Sequence, residues 1–278
     1  MMKRLVMILT LFVVALAAFS ASRALVFGLG RQADASWAKI NGDRDAALVK
    51  GMLQRCGFRD IRVLTNAMAT KKNMVQAFVN LEKSCRPGDV VYVHYSGHGQ
   101  YMTDVNGDEA QRWTGRHAQW DESWVPYDAQ MLYGAKDRGE KHFCDDEVAK
   151  YLSRIRKKIG EKGKLYVVVD ACHSGDATCG ETDEPVRGVD REFVMPRPQN
   201  AKVEAPVKEE WLTVSACKPY QLCFEQKFPV AGKLTYAICL LGKKFFTLTK
   251  AQLQAELDAY IQAHPGRLPQ NPVVSGHF

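Results

Sequence analysis

With 278 residues, 46% of them apolar and 25% charged, the chain is long enough for one large domain whose core needs neither metal nor cross-links. Its net charge of +7 is spread along the sequence rather than gathered on a basic, aromatic-lined face, so no nucleic-acid partner is expected. Eight cysteines form no CxxC pair and no Cys/His ligand spacing, which argues against a structural zinc site.

The first residues read as a leader. Lys3 and Arg4 precede an apolar run from Leu5 to Ala18, and small residues follow at Ser20, Ala21 and Ser22. This is the layout of a secretory signal peptide over residues 1–22, cleaved after Ser20, Ala21 or Ser22. The run is shorter than the roughly 20 residues of a bilayer span, so no stable membrane insertion is expected once the leader is gone. An uncleaved anchor is the alternative. The expected location is periplasmic or secreted, where disulfides are permitted.

Residues 23–278 then read as one domain. Ala24–Leu29 is a buried strand. Asp43–Arg55 has apolar residues at helical spacing and stops at Gly57. Asp60–Leu64 is a strand and Lys72–Lys83 a helix broken by Pro87-Gly88. Asp89–Tyr95 is a β-branched strand. Asp145–Ile159 is a helix with acids first and bases last, which suits the macrodipole. Lys164–Asp170 and Trp211–Ala216 are strands; Lys233–Leu241 and Lys250–Ala263 are helices, the latter capped by Thr249. Strands alternating with helices predict a mainly parallel sheet with helices on both faces. Two stretches, Tyr101–Trp124 and Gly175–Glu210, lack periodicity and read as loops, the second exposed and rich in Pro and charge.

In such sheets ligands bind beyond the carboxyl ends of the strands. Two strands here end in reactive groups: one runs into Ser96-Gly97-His98-Gly99, the other into Ala171-Cys172-His173-Ser174-Gly175. Parallel neighbours would bring both ends to one rim. A thiol needs a base because it is mostly protonated near neutral pH, and an imidazole in reach can take the proton and return it to a leaving amine. The backbone N–H groups of Gly99 and Cys172 are candidate oxyanion donors. Cys179 is the rival nucleophile, without a strand directly before it.

HYSGHG (His94–Gly99) and DACHSG (Asp170–Gly175) resemble the His and Cys motifs of metacaspases and related bacterial caspase-like peptidases. TVSACKPYQLCFE (Thr213–Glu225), LTYAICL (Leu234–Leu240) and PQNPVVSG (Pro269–Gly276) resemble that family's small-subunit strand, following helix and C-terminal segment. The resemblance implies an α/β caspase–hemoglobinase-like fold, with a large-subunit-like part at 23–180, a linker at 181–210 and a small-subunit-like part at 211–278. It implies a cysteine endopeptidase with His98 and Cys172 as the catalytic dyad, while His94 and His173 read as structural. Its substrates would be polypeptides with Arg or Lys at P1, the residue before the cut. Asp170 and Ser96 match pocket positions. Asp45 reads either as a second pocket acid or as charge compensation at a helix start. Gly42 stands where the family usually has a cysteine. No cofactor is required for the chemistry. Many metacaspases need calcium, and the resemblance puts Asp121 and Glu122 close to the family's metal position, with Asp104, Asp108 and Glu109 also offering hard oxygen ligands; a solvated acidic loop is the alternative reading.

The linker carries Arg187, Arg191, Arg197, Lys202 and Lys208, so an enzyme cutting after basic residues would find itself a substrate there. Other functions stay open: a clostripain- or legumain-like peptidase, an esterase or transferase using the same thiol, or an inactive caspase-like binding module.

Overall fold

The computed structural model describes residues 20–278 except 113, 174–185, 190, 199–202, 204, 206 and 220. Most of the expected leader, and Cys179, lie outside the described residues.

In chain order the strands are β1 (Ser22–Gly28), β2 (Asp60–Thr65), β3 (Val90–Ser96), β4 (Gly99–Thr103), β5 (Trp120–Trp124), β6 (Phe143–Cys144), β7 (Lys164–Asp170), β8 (Leu212–Ser215), β9 (Glu225–Lys227), β10 (Val230–Gly232) and β11 (Val273–Gly276). The helices are α1 (Gly42–Arg55), α2 (Lys71–Ser84), α3 (Glu109–Arg112), α4 (Asp145–Ile159), α5 (Lys233–Leu241) and α6 (Lys250–Ala263). Every helix and strand of the expected alternation is present, with ends within two residues.

Six strands form the central sheet in the order β11-β8-β7-β3-β1-β2. All neighbours are parallel except β11, which returns antiparallel along β8. Alternate residues of each strand face opposite sides, and the apolar runs of β1, β3 and β7 bury both. Ala24, Val26, Tyr92 and Val168 pack with α1, α5 and α6. Leu25, Phe27, Val91, Val93 and Val167 pack with α2 and α4 on the other face. Arg156 of α4 donates to the carbonyls of Gly163 and Gly160 (2.7 and 2.5 Å) beyond its C-terminus. Thr249 and Gln252 close a capping box on α6.

The expected loop over Tyr101–Trp124 is in part a sheet. β4, β5 and β6 form a separate three-stranded antiparallel unit. One face carries Gln100, Asp121 and Ser123, all buried; the period of two is there, but polar residues occupy that face and hide it from a hydrophobicity reading.

β1 begins at Ser22, opposite Val90. The Ala21 carbonyl accepts from Val90 N (2.9 Å), and Ala21 N donates to Asp89 Oδ1 (2.8 Å). Among the described residues no helix is long and apolar enough to cross a membrane.

Candidate active site

The register of the central pair decides the site. Ser96 at the end of β3 is the Cα partner of Asp170 at the end of β7, so the segments that follow, with His98 and Cys172, leave the sheet side by side. Both side chains are buried. His98 Nε2 lies 2.7 Å from the Ala38 carbonyl, which only an N–H can satisfy; Nδ1 is then the basic nitrogen, and it has no hydrogen-bond partner. Trp37 lies against the imidazole, ring centroids 5.3 Å apart. Burial lowers the His98 pKa, opposed by the bond to Ala38 and the charge of Cys172. Burial would push the Cys172 thiol up, yet it is held well below its usual range by the neighbouring thiols of Cys217 and Cys223, the Cys223 backbone and the charge of His173.

The sequence-derived pocket residues come together and acquire two that sequence reasoning missed. Asp45 of α1, Ser96 of β3, Asp170 of β7 and Glu225 of β9 surround the fully buried guanidinium of Arg187. Arg187 Nη2 is 2.6 Å from Asp45 Oδ2 and 2.8 Å from Glu225 Oε1. Its Nη1 donates to Ser96 Oγ (2.5 Å) and the Asp170 carbonyl oxygen (3.3 Å), while the Asp170 carboxylate stands off at 3.6 Å. Asp170 Oδ2 accepts instead from Thr235 Oγ1 (2.6 Å) and Thr235 N (2.9 Å). Asp45 lies in the first turn of α1 but is spent on the pocket, accepting also from Ser96 Oγ at 2.7 Å. Burial raises its pKa to about 6, with Arg187 lowering it and Asp170 adding to the rise. Three buried carboxylates around one guanidinium leave the pocket short of positive charge.

Arg187 lies in the segment expected to be exposed, and it is enclosed instead. Its backbone is held as firmly as its side chain. The Arg187 carbonyl accepts from Gly99 N and Cys172 N, both at 3.1 Å, and Arg187 N donates to the Cys223 carbonyl at 3.1 Å. Val186 bridges antiparallel to Phe224. The next residue, Gly188, sits against the sulfur: a Cβ there would be 2.7 Å from Cys172 Sγ and 2.6 Å from the Cys172 carbonyl oxygen. The peptide bond between Arg187 and Gly188 thus lies over the thiol, with its oxygen between two N–H donors.

The other motif histidines point elsewhere. His94 is buried between Tyr92 OH and Thr235 Oγ1, both at 3.2 Å, and burial takes its pKa to about 4. His173 Nδ1 is 3.2 Å from Glu122 Oε2, so Glu122 faces the thiol side of β5. Its neighbour Asp121 faces the opposite side, where ligand atoms of Asp104, Asp108 and Asp121 lie within 4.8 Å of one another. Asp121 Oδ1 is buried without a hydrogen-bond partner, and burial plus repulsion from Asp104 and Asp146 raises its pKa to about 8. Such a cluster of hard, under-neutralised oxygens fits a divalent cation.

Comparison with known proteins agrees with the fold. The family model described as Caspase domain matches residues 21–237. The chain belongs to the caspase domain family of cysteine peptidases. Among curated proteins it is similar to metacaspase-2 of Arabidopsis thaliana, 36% identical over 106 residues (38% of this chain, 21% of the relative). It is also similar to metacaspase-1B of Aspergillus terreus, 30% identical over 133 residues (45% and 30%), and of Neurospora crassa, 29% over 184 residues (54% and 39%). The chain therefore spans less than half the length of each of these relatives. A crystal structure of a Geobacter sulfurreducens protein shares the fold, with a TM-score of 0.61, 20% identity and 92% of each chain covered.

Proposed function

We propose that this chain is a metacaspase-type cysteine endopeptidase that cuts after Arg and, less readily, Lys, and that its first substrate is its own Arg187–Gly188 bond. The observation that carries the reading is the seating of Arg187: carbonyl between the amides of Gly99 and Cys172, guanidinium among Asp45, Ser96 and Glu225.

In the proposed reaction His98 Nδ1 takes the thiol proton and Cys172 Sγ attacks the Arg187 carbonyl carbon, forming an S–C bond. The oxygen gathers negative charge between two preorganised N–H donors. As the C–N bond breaks, the imidazolium returns the proton to the Gly188 nitrogen, which leaves as an amine. A water molecule, deprotonated by the same imidazole, then hydrolyses the thioester and restores the thiol. The Ala38 carbonyl and the Trp37 ring hold the imidazole in one tautomer and plane throughout. A fork of guanidinium donors can serve Asp45, Glu225 and Ser96 together; a lysine ammonium is a point charge and serves them less well.

Calcium is proposed as an activator held by Asp104, Asp108 and Asp121, where it would neutralise the cluster and fix β4 against β5. Glu122, paired with His173, is left out of that ligand set. A leader ending between Ser20 and Ser22 is proposed to direct export, and partners are polypeptide substrates with a basic P1.

Intact-mass analysis tests the function. Wild type should give two fragments divided between Arg187 and Gly188; Cys172→Ala and Arg187→Gln should stay whole at that bond. Fragments in wild type and Cys172→Ala alike would point to a contaminating protease. A whole wild-type chain that hydrolyses Arg peptides would remove self-processing and keep the peptidase. A folded chain that resists every Cys-directed acylating probe would favour the binding module.

A further inference from the structure

The residues after the scissile bond are seated as specifically as Arg187 itself. Val189 packs into a small apolar cluster made by Trp37, Val125, Ala129 and Met131. Its walls are fixed. Trp37 Nε1 donates to the Ala129 carbonyl (3.2 Å), Val125 N donates to Tyr95 OH (2.9 Å), and Met131 N donates to Asp34 Oδ2 (2.9 Å). Trp37 touches His98 as well, so one ring forms part of this pocket and part of the imidazole's support.

Further along, the chain is read by its backbone. Gln100 Nε2 donates to the Arg191 carbonyl at 2.7 Å. Its amide is oriented from behind by His142 Nε2 on Oε1 (2.9 Å), with His142 Nδ1 3.3 Å from Asp137 Oδ2. Phe193 N donates to the Tyr101 carbonyl (2.8 Å) and Thr103 N to the Phe193 carbonyl (3.1 Å). Phe193 therefore makes a parallel bridge with Met102 on the free edge of β4, the kind of edge contact by which extended peptides are held, in which main-chain bonds give affinity and side-chain pockets give specificity.

We propose that this is a substrate cleft on the leaving-group side of the bond, and that it selects glycine at P1′ and an aliphatic residue at P2′. The proposal rests on the peptidase reading above and adds the substrate class to it: polypeptides carrying Arg-Gly followed by Val, Ile or Leu. At P1′ any side chain runs into the Cys172 sulfur and carbonyl, which are fixed by the chemistry and cannot withdraw. At P2′ the four apolar side chains offer nothing to a charged or strongly polar group, which would be buried there without a partner.

The test uses the full chain after it has been allowed to self-process, with two kinds of substrate. A Val-Arg aminomethylcoumarin amide has no amino acid after the cut and reports the thiol, the imidazole and the acid pocket. Internally quenched peptides built on Val-Arg-Gly-Val, with P2′ changed to Asp or P1′ to Val, report the cleft. The expected result is hydrolysis of the coumarin amide and a kcat/KM at least about tenfold lower for the P2′ Asp peptide and the P1′ Val peptide than for the parent, the tenfold step being about 1.4 kcal/mol. Val189→Asp in the chain should slow self-cleavage by at least about tenfold as well. Equal rates across the peptides with the coumarin amide still cut would overturn the cleft and leave the peptidase standing. No hydrolysis of either kind of substrate, whatever the P1 residue, would overturn both.

Discussion

Arg187 Nη2 lies 2.6 Å from Asp45 Oδ2 although 142 positions separate the two residues in the chain. The closest carboxylates to the guanidinium are those of Asp45 and of Glu225, not that of Asp170, and this reorders the expected weights of the pocket acids.

Asp45→Asn should lower kcat/KM for an Arg substrate by more than Asp170→Asn does, and by at least about tenfold, since the carboxylate facing the guanidinium is replaced by an uncharged amide. Glu225→Gln should fall between them. Steady-state kinetics on an Arg-coumarin amide measures all three; a larger loss in Asp170→Asn than in Asp45→Asn would return the leading role to Asp170.

Cys172→Ala should abolish hydrolysis and leave the thermal unfolding temperature nearly unchanged, because Ala is only slightly smaller. His98→Ala should lose nearly as much activity, since members of one catalytic unit are not additive. Near-normal turnover in either variant would remove the proposed dyad.

Asp121 gives a pH signature. Its folded pKa, about 8, is above that of an unfolded Asp, so the folded state binds the extra proton. Its contribution to stability is complete below about pH 4 and is lost as pH rises toward 8. Between pH 6 and 8 the metal-free protein should lose thermal stability faster than Asp121→Asn. Calcium binds the ionised carboxylate, so its stabilising effect should grow with pH over that range and be small in Asp121→Asn. Thermal melts with and without calcium measure this; parallel pH dependence in the two proteins would dismiss the site.

The proposed leader carries a prediction about where it would be cut. Of the three cleavage points in the leader, only the one after Ser20 leaves Ala21 to make both of its bonds to the β3 edge. N-terminal sequencing of exported protein should begin at Ala21; a start at Arg23 would mean that the sheet forms without them.

Much of the architecture was legible in the sequence because it is carried by local signals. The β-branched runs of β3 and β7, the amphipathic spacing and end charges of α4, and the Thr249 cap of α6 each specify their element within a short window. Two strands that run into a Gly-flanked His and a Cys also announce where a thiol and an imidazole can meet, since parallel neighbours share a rim. The sheet of β4, β5 and β6 was not legible: Asp121 and Ser123 share one of its faces, and polar residues buried for their own partners carry no hydrophobic alternation.

What the sequence by itself determined, then, was the alternating α/β order and the placing of the Cys172 and His98 segments beyond neighbouring strand ends, with Asp170 and Ser96 opposite each other at those ends. Nothing local distinguished Arg187 from the other basic residues of its segment, or Glu225 from any surface acid. Their roles depend on long-range closure, as α1, β3, β7 and β9 converge to enclose three carboxylates that would be too costly to bury without a cation. Only the tertiary structure could decide which residue supplies it, and it supplies Arg187, with Gly188 against the Cys172 sulfur and Val189 in an apolar pocket.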